Sequence, residues 1–499
     1  MITKSRTEAA KFVSDIIWVA IAQLFVSLLL VFVTMPALTK TYTSEIYGIW
    51  MQVNVTVNLL VPLLSLQFGT TIVRFLAESA NTDDRRRVFG TLLWPVVILA
   101  CLVFIISLLF KQELSMLLFN SLEYVSYVPL TFLWAGIGSI YIVGLSYMRA
   151  SGKIKKLMII LVSFAVSKIL VIITLVTTGH SLGWIIGSAV ACEAITTALI
   201  TWMIVREIGW PTFDRDKVKD YLTFSVPQIP GGVFTWIISL SDRYFITHII
   251  NLSQAGIYSV SWALGNTLIL FCQPIAFVLL PTLSKYWDQT DKVKVINYLD
   301  YSNKLFLALA IPAAGGLFIL SQPLLRIFST AEYMVGGTLV LLIAIGTILN
   351  GLYQINVYII LLIKQTKWLP LLIGIAGTIN IGLNLVLIPA SGILGAAIST
   401  VAAYSFLAII VAIWERKIMG YRMDFVFLAK VIFGTLLMII SLSFFQINSV
   451  MSILIAIIAG ITIFCLGLVV MRSFSRRDWQ LTREILGGLV DMLRKKQVS

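Results

Sequence analysis

The chain has 499 residues, of which 59% are hydrophobic and 12% are charged, and its formal net charge at pH 7 is +14. Soluble globular domains carry about 25% charged residues, so the composition excludes an ordinary soluble domain and indicates a polytopic membrane protein. The apolar runs are continuous and do not alternate with polar residues, which excludes a porin-like β-barrel.

Windows of about 20 apolar residues predict an all-α polytopic membrane protein with fourteen transmembrane helices. The predicted spans are 12–38, 46–70, 88–110, 126–148, 157–178, 182–205, 221–249, 255–281, 301–321, 334–363, 368–388, 391–414, 425–446 and 449–471. The first run is too long for the apolar core of a cleavable signal peptide, so we expect it to remain as a span.

Basic residues are distributed unequally between the two sides that these spans define. With the N-terminus inside, 32 of the 37 Lys and Arg residues fall in inner segments, and three, Lys40, Lys111 and Arg326, fall in outer loops. This bias is the positive-inside pattern, and it predicts that both termini are cytoplasmic. The positive net charge therefore reflects topology and attraction to anionic lipids, and we expect no nucleic-acid partner.

The segments outside the membrane are short. The longest is the basic tail, 473–499, whose aliphatic residues recur at helical spacing; this predicts an amphipathic helix on the inner membrane surface, with a frayed tail as the alternative. The chain has no GxxxxGK[ST] phosphate loop and no evident nucleophile–base pair, so we expect no enzymatic activity, no metal and no bound cofactor. The four cysteines lie in apolar runs and are predicted to be structural thiols.

The two halves of the chain repeat each other at a nearly constant offset. Tyr47 of SEIYGIW stands 211 residues before Tyr258 of GIYSVSW, and Glu123-Tyr124 stands 209 residues before Glu332-Tyr333. A repeat of six spans predicts two lobes related by a pseudo-twofold axis along the membrane normal, with a cleft between them. The predicted division is a six-helix lobe at 1–210, a second at 211–424, two added helices at 425–472 and the tail at 473–499.

Lys168 and Glu193 lie near the middle of the fifth and sixth predicted spans. Charges at this depth are costly and need a partner or a wet cavity. One hypothesis is that Lys168 faces the cleft and binds an anionic substrate, with Glu193 tuning it. The alternative is a buried ion pair that holds the two spans together.

The seventh span carries breakers followed by an adjacent acid and base. Pro227, Pro230, Gly231 and Gly232 interrupt its inner half and predict a hinge, with an ordinary packing kink as the alternative. Asp242 and Arg243 follow. Neighbours on a helix point about 100° apart and cannot pair well with each other. We therefore expect at least one to face the cleft or a gate, unless Arg243 snorkels to the outer interface.

Amides also occur at depth in the tenth and eleventh spans. Asn380 and Asn384 share one helix face, and Asn350, Gln354 and Asn356 lie in the preceding span. Such amides commonly hydrogen-bond between helices. The alternative is that Asn380 and Asn384 bind sugar hydroxyls of a substrate.

Several short motifs resemble those of one transporter family. They are VRFLAES at 73–79, SDRYFI at 241–246 and GIYSVSW at 256–262. Together with the six-plus-six repeat and two added spans, they resemble the polysaccharide transporters, or Wzx-type flippases, of the multidrug/oligosaccharidyl-lipid/polysaccharide exporter superfamily, which have a MATE-like fold. Related lipid II flippases carry an arginine cluster involving the first span, and the lack of arginine in 12–38 argues against that branch.

The resemblance implies a flippase of the cell membrane that moves a polyprenyl-pyrophosphate-linked oligosaccharide from the inner to the outer leaflet by alternating access, for surface polysaccharide biosynthesis. It implies cations for the phosphates, here Lys168, Arg243 and Arg74 at the inner mouth. H⁺ or Na⁺ coupling through Glu193 or Asp242 is a further hypothesis. Expected partners are this glycolipid, membrane lipids and a glycan polymerase or ligase, and we expect a monomer. Alternatives are a cation-coupled exporter of small drugs or metabolites, and a non-transporting scaffold.

Overall fold

The computed structural model describes residues 25–481 except 78, 80, 448, 476 and 479, and this part of the chain is helical without strands. Twelve helices within it are long and apolar enough to cross a membrane. They are α2 (Ser44–Ala77), α3 (Thr82–Leu109), α4 (Tyr127–Ala150), α5 (Ile154–Thr177), α6 (Leu182–Ile208), α8 (Leu252–Asp288), α9 (Lys292–Phe328), α10 (Gly337–Leu362), α11 (Trp368–Ser391), α12 (Ile393–Met419), α13 (Phe425–Ser443) and α14 (Val450–Val470). The numbers α1 and α7 are kept for the two segments described next.

Two further segments lie where the first and seventh spans are predicted. The first, α1, is Phe25–Thr41 and contains a π-helical stretch, Leu30–Thr34. The second, α7, consists of Arg215–Ser225, Ile229–Leu240 and Asp242–Ile249 with short breaks between them. A short helix, Lys111–Phe119, follows α3.

The all-helical prediction is confirmed, and each of the twelve long helices overlaps one predicted span. Several helices are longer than the apolar windows that predicted them, because their ends carry polar residues. For example, α9 runs from Lys292 to Phe328, whereas its apolar window is 301–321. Part of the predicted first span and nearly all of the predicted tail helix lie outside the described residues.

Breaks in α2 and α7 contact each other. In α2 the helix stops at Ser65 after Pro62, and Leu66 and Gln67 take φ values of 52° and 55°, which side chains other than glycine seldom adopt. In α7 a 3₁₀ turn, Val226–Gln228, follows the first part. The Thr70 hydroxyl donates to the Gln228 side-chain oxygen across this junction at 3.0 Å.

The helices form two groups with an added pair. In the first group α4 packs against α2, α3 and α6, and α5 packs on α6; in the second α12 packs against α10 and α11, and α10 against α8 and α9. The pair α13 and α14 packs on α9. The division into two six-helix lobes with boundaries at 210 and 424 stays a prediction.

The two groups meet most closely where α2 crosses α8, and we call this region the closed end. A Cβ on Gly48 or Gly256 would collide with the backbone of the other helix, so only glycine allows this crossing. Nearby, Ser44 Oγ lies 2.5 Å from Ser253 Oγ and also hydrogen-bonds Glu332. The hydroxyl of Tyr333 donates to the carbonyl of Tyr42 at 3.0 Å. These contacts seal the groups together at this end.

Candidate functional site

A cavity of 850 Å³, the central cavity, separates the two helix groups below the closed end. It is lined by α1, α2 and α5 on one side and by α8 on the other, with single residues from α4 and α7. It extends from Leu38 and Tyr47 near the closed end to Val26 and Met158 toward the opposite end. Sites for small molecules typically enclose about 300–1,000 Å³. The central cavity is therefore large enough for the polar headgroup of a lipid.

Lys168 is the one charged residue among the described residues that line the central cavity. Its ammonium lies 4.5 Å from the ring centroid of Trp134, a cation–π contact worth about 0.5–2 kcal/mol. The same indole donates its N–H to Glu193 Oε2 at 2.6 Å. Trp134 thus connects the base of α5 with the acid of α6.

Two hypotheses concern this pair of charges: anion binding by Lys168 in the cavity, and a buried ion pair between α5 and α6. Within the described residues no ion pair within 4.0 Å joins Lys168 to Glu193. The two side chains are linked through Trp134 and are not in direct contact, so the ion-pair alternative and the anion-binding hypothesis both stay predictions. Lys168 remains available to a ligand in the cavity, which agrees with the first hypothesis.

Asp242 lies at the centre of a buried hydrogen-bond network. Its carboxylate accepts from the Tyr258 hydroxyl at 2.7 Å, the Thr400 hydroxyl at 2.9 Å and the Asn384 amide at 2.9 Å. Asn384 also donates to Asn380 Oδ1 at 3.1 Å. The network joins α7, α8, α11 and α12. Asn380 and Asn384 therefore hold helices together in this conformation, and sugar binding by them stays a prediction.

Arg243 is fully buried beside this network. Its Nη1 donates to the Ser239 carbonyl at 3.0 Å, and its guanidinium lies 4.5 Å from the ring centroid of Trp262 and 5.1 Å from that of Tyr258. Its Nε and Nη2 have no hydrogen-bond partner among the described residues. Snorkelling of Arg243 to an interface is wrong, because the side chain points inward. Arg243 does not line the central cavity, whereas Trp262, which it contacts, does.

The remaining predicted residues lie at the end opposite the closed end. Arg74 is exposed and stacks on Phe224 of α7 at 4.6 Å. Pro227 lies in the 3₁₀ turn of α7, and Pro230 and Gly231 begin the next helical part. Gly232 contacts the break in α2, because a Cβ there would meet the Gln67 side chain. The breakers do interrupt α7, whereas their function as a hinge stays a prediction.

Other residues of the cavity wall escaped the sequence analysis. Asn54 and Asn58 of α2 and Asn266 and Gln273 of α8 line the central cavity. They are amides inside apolar spans, so the reasoning that selected Asn380 could have found them. The contact of Trp134 with Lys168 had no signal in the sequence, because it depends on how three helices pack.

Comparison with known proteins places the chain in a family. A family model described as polysaccharide biosynthesis protein matches residues 42–336, which is more than half of the chain. The chain belongs to the polysaccharide biosynthesis protein family. This match includes the closed end, Lys168, Asp242 and Arg243, and it confirms the family that the sequence motifs predicted.

Two proteins similar to this chain are named as flippases. The probable low-salt glycan biosynthesis flippase Agl15 of Haloferax volcanii is 23% identical over 234 residues, which cover 44% of this chain and 48% of the relative. The probable lipid II flippase MurJ of Bdellovibrio bacteriovorus is 25% identical over 215 residues, 42% of this chain and 41% of the relative. The matches thus span less than half the length of these relatives.

Solved structures share the fold of this family member. Lipid II flippase MurJ in an inward closed conformation superposes with a TM-score of 0.72 at 17% identity, covering 93% of this chain and 98% of that chain. An inward-facing multidrug resistance MATE family transporter reaches 0.66 at 14% identity, covering 80% and 98%. The MATE-like fold is confirmed, and the protein is a multi-pass protein of the cell membrane.

Proposed function

We propose that the protein is a flippase that moves a polyprenyl-pyrophosphate-linked oligosaccharide from the inner to the outer leaflet of the cytoplasmic membrane, for surface polysaccharide biosynthesis. The observation that carries the proposal is the central cavity with the Lys168 ammonium in its wall. A pyrophosphate with sugars cannot cross hydrocarbon unaided, because charges and hydroxyls lose their hydration there. In the mostly apolar central cavity, the Lys168 ammonium and the amides of Asn54, Asn58, Asn266 and Gln273 replace part of that hydration. The polyprenyl tail stays in the lipid.

The proposed topology has fourteen spans, with α1 and α7 as the first and seventh and with both termini in the cytoplasm. The distribution of the basic residues supports it, since 32 of 37 fall on the inner side. In this topology the closed end is the outer end. The central cavity then extends toward the cytoplasm, where the lipid-linked substrate is made.

Transport proceeds by alternating access in this proposal. The crossing of Gly48 and Gly256 and the hydrogen bond between Tyr333 and Tyr42 hold the outer end shut. Outward opening requires these contacts to separate while the inner halves of the lobes approach. The breaks in α2 and α7 are places where helix direction can change without loss of further backbone hydrogen bonds, and Pro227–Gly232 serves as the hinge.

Each charged residue has a proposed role. Lys168 binds the pyrophosphate, since a cation in a low-dielectric cavity attracts a phosphate strongly, and Arg74 attracts it at the inner mouth. Arg243 reaches the substrate only after Trp262 moves, and its two free donors would then have a partner. Glu193 or Asp242 carries the proton or sodium ion that couples transport to a gradient.

The partners follow from the same chemistry. We propose the lipid-linked oligosaccharide and the membrane lipids as direct partners, a monomer as the working unit, and a glycan polymerase or ligase as the protein that receives the product. The runner-up, a cation-coupled exporter of small drugs or metabolites, shares the fold, yet fold likeness at 14% identity does not extend to substrate.

Complementation tests the proposal. In a host strain that lacks this gene, the wild-type chain should restore surface glycan, and Lys168→Gln should reduce export by about ten-fold or more at equal protein level, because it removes the charge and keeps a polar chain of similar length. Lys111→Gln, at an exposed lysine outside the cavity, is the matched control. Intact export in both Lys168→Gln and Arg243→Met would refute the proposal that these cations bind the substrate. Drug resistance without a glycan phenotype would favour the small-molecule exporter.

A further inference from the structure

A second cavity of 340 Å³, the side cavity, adjoins the central cavity within the second helix group. The two cavities have five lining residues in common: Leu240, Trp262, Asn266, Ile269 and Gln273. Helices α7, α8, α10, α11 and α12 surround the side cavity. The side cavity therefore lies directly beside the space that Lys168 lines.

The side cavity differs from the central cavity in charge. None of the described residues that line it is charged. Its polar groups include four side-chain amides, Asn266, Gln273, Asn350 and Gln354, and the hydroxyls of threonine, serine and tyrosine residues. Arg243 contacts Trp262 and Tyr258 of this wall but does not itself line the side cavity, so a phosphate there would meet no cationic side chain in the wall, and burial of an anion without one is costly.

The amides of the side cavity keep hydrogen-bonding capacity for a ligand. Gln354 Nε2 donates to Asn350 Oδ1 at 3.3 Å, which leaves the Asn350 amide hydrogens and the Gln354 carbonyl oxygen free of other described side chains. The side chains of Asn266 and Gln273 make no hydrogen bond to another described residue. Each of these amides offers both an N–H donor and a carbonyl acceptor. Sugar hydroxyls also both donate and accept hydrogen bonds, so they match such a wall.

An aromatic face completes the site. Trp262 lines both cavities, and the Arg243 guanidinium lies 4.5 Å from the centroid of its ring. An indole ring offers an apolar surface with a defined geometry, which suits the C–H face of a sugar ring. The volume of 340 Å³ lies at the lower end of small-molecule sites, about 300–1,000 Å³.

We infer that the side cavity is a subsite for an uncharged sugar unit of the substrate, separate from a phosphate subsite at Lys168. The inference rests on the proposed function, because it divides one lipid-linked glycan between the two cavities. The Asn350 and Gln354 amides and the Trp262 ring then select for glycan, while Lys168 binds the pyrophosphate whatever sugar it carries.

Binding of two probes to the purified full chain in lipid nanodiscs tests this division. The probes are undecaprenyl diphosphate and the same lipid diphosphate carrying N-acetylglucosamine. Wild type should bind the sugar-bearing probe about ten-fold more tightly, since each hydrogen bond to a neutral group contributes modestly. The double variant that combines Asn350→Leu with Gln354→Met should abolish this preference without changing the affinity for undecaprenyl diphosphate. Gln273→Met, at an exposed side chain of the shared wall, should reduce the preference in a variant with little risk to folding.

Two controls separate the subsite from the proposed function. Lys168→Gln should weaken both probes by a similar factor, and Gln289→Met, at an exposed amide outside both cavities, should change neither. Equal binding of the two probes by wild type, or an unchanged preference in the Asn350 and Gln273 variants, would overturn the sugar subsite alone. Failure of wild type to bind either probe would refute the proposed function itself.

Discussion

Replacing Gly256 by alanine should open the closed end. Its new Cβ would collide with the backbone of α2 near Ser44 and would lie 3.0 Å from the Gly48 nitrogen. Backbone atoms cannot yield as a flexible side chain can, so the helices must separate by about 1 Å, and overpacking of this kind costs about 1–3 kcal/mol. The strain exists only while α2 and α8 cross, so it disfavours the closed conformation about 5- to 150-fold.

Electron paramagnetic resonance distances measure this shift. Spin labels at Leu122→Cys and Ala331→Cys, both exposed on opposite groups near the closed end, would be placed in a chain whose four native cysteines are replaced. Wild type should give a narrow, short distance, and Gly256→Ala should raise the ratio of long to short distances about 5- to 150-fold. Gly187→Ala, where an added Cβ meets nothing within 4 Å, is the control. A Gly256→Ala distribution identical to wild type would refute the reasoning, even if the variant melts at lower temperature.

Three further outcomes are expected. The hydroxyl oxygens of Ser44 and Ser253 lie 2.5 Å apart, so a double variant with cysteine at both positions should form a disulfide across the closed end. This disulfide should stop glycan export until a reductant is added. Full export in the oxidised form would contradict alternating access. Asp242→Asn should lower the free energy of unfolding by about 1–3 kcal/mol, because an amide cannot accept all three hydrogen bonds, and thermal melting in detergent checks this. Trp134→Phe should weaken binding of undecaprenyl diphosphate by up to about ten-fold, because phenylalanine makes a weaker cation–π contact with Lys168 and cannot donate to Glu193. Unchanged titration curves would show that Trp134 does not position Lys168 for binding.

The positions of the helices could be predicted because the membrane imposes them. A span needs about 20 apolar residues, and prolines leave backbone groups unpaired, so α7 could be predicted as a broken helix from Pro227 and Pro230. Lys168 could be assigned to a cavity for a similar reason, since an unpaired charge in hydrocarbon is costly. Both predictions need only the local sequence and the fact that the hydrocarbon interior of the membrane disfavours unpaired polar groups.

The surroundings of the charges could not be predicted in the same way. The stacking of Arg243 against Trp262 depends on the rotation of α7 relative to α8, which no apolar window reports. The meeting of Gly48 and Gly256 joins residues about two hundred positions apart, and the motifs SEIYGIW and GIYSVSW that contain them do not indicate that the two helices cross there. Packing between distant segments of the chain is visible only in the three-dimensional structure. This packing determines which charged side chains a ligand can reach.

Translocation in purified vesicles tests the central claim most directly. Undecaprenyl-diphosphate-linked N-acetylglucosamine is placed in both leaflets with the protein, and galactosyltransferase with labelled UDP-galactose is added outside only. The account predicts that wild type makes the whole pool accessible to the enzyme, whereas vesicles with Lys168→Gln label little beyond the share of the outer leaflet. If wild-type vesicles label no more than protein-free vesicles, or if Lys168→Gln matches wild type, the cationic cavity does not carry a lipid-linked sugar across the membrane.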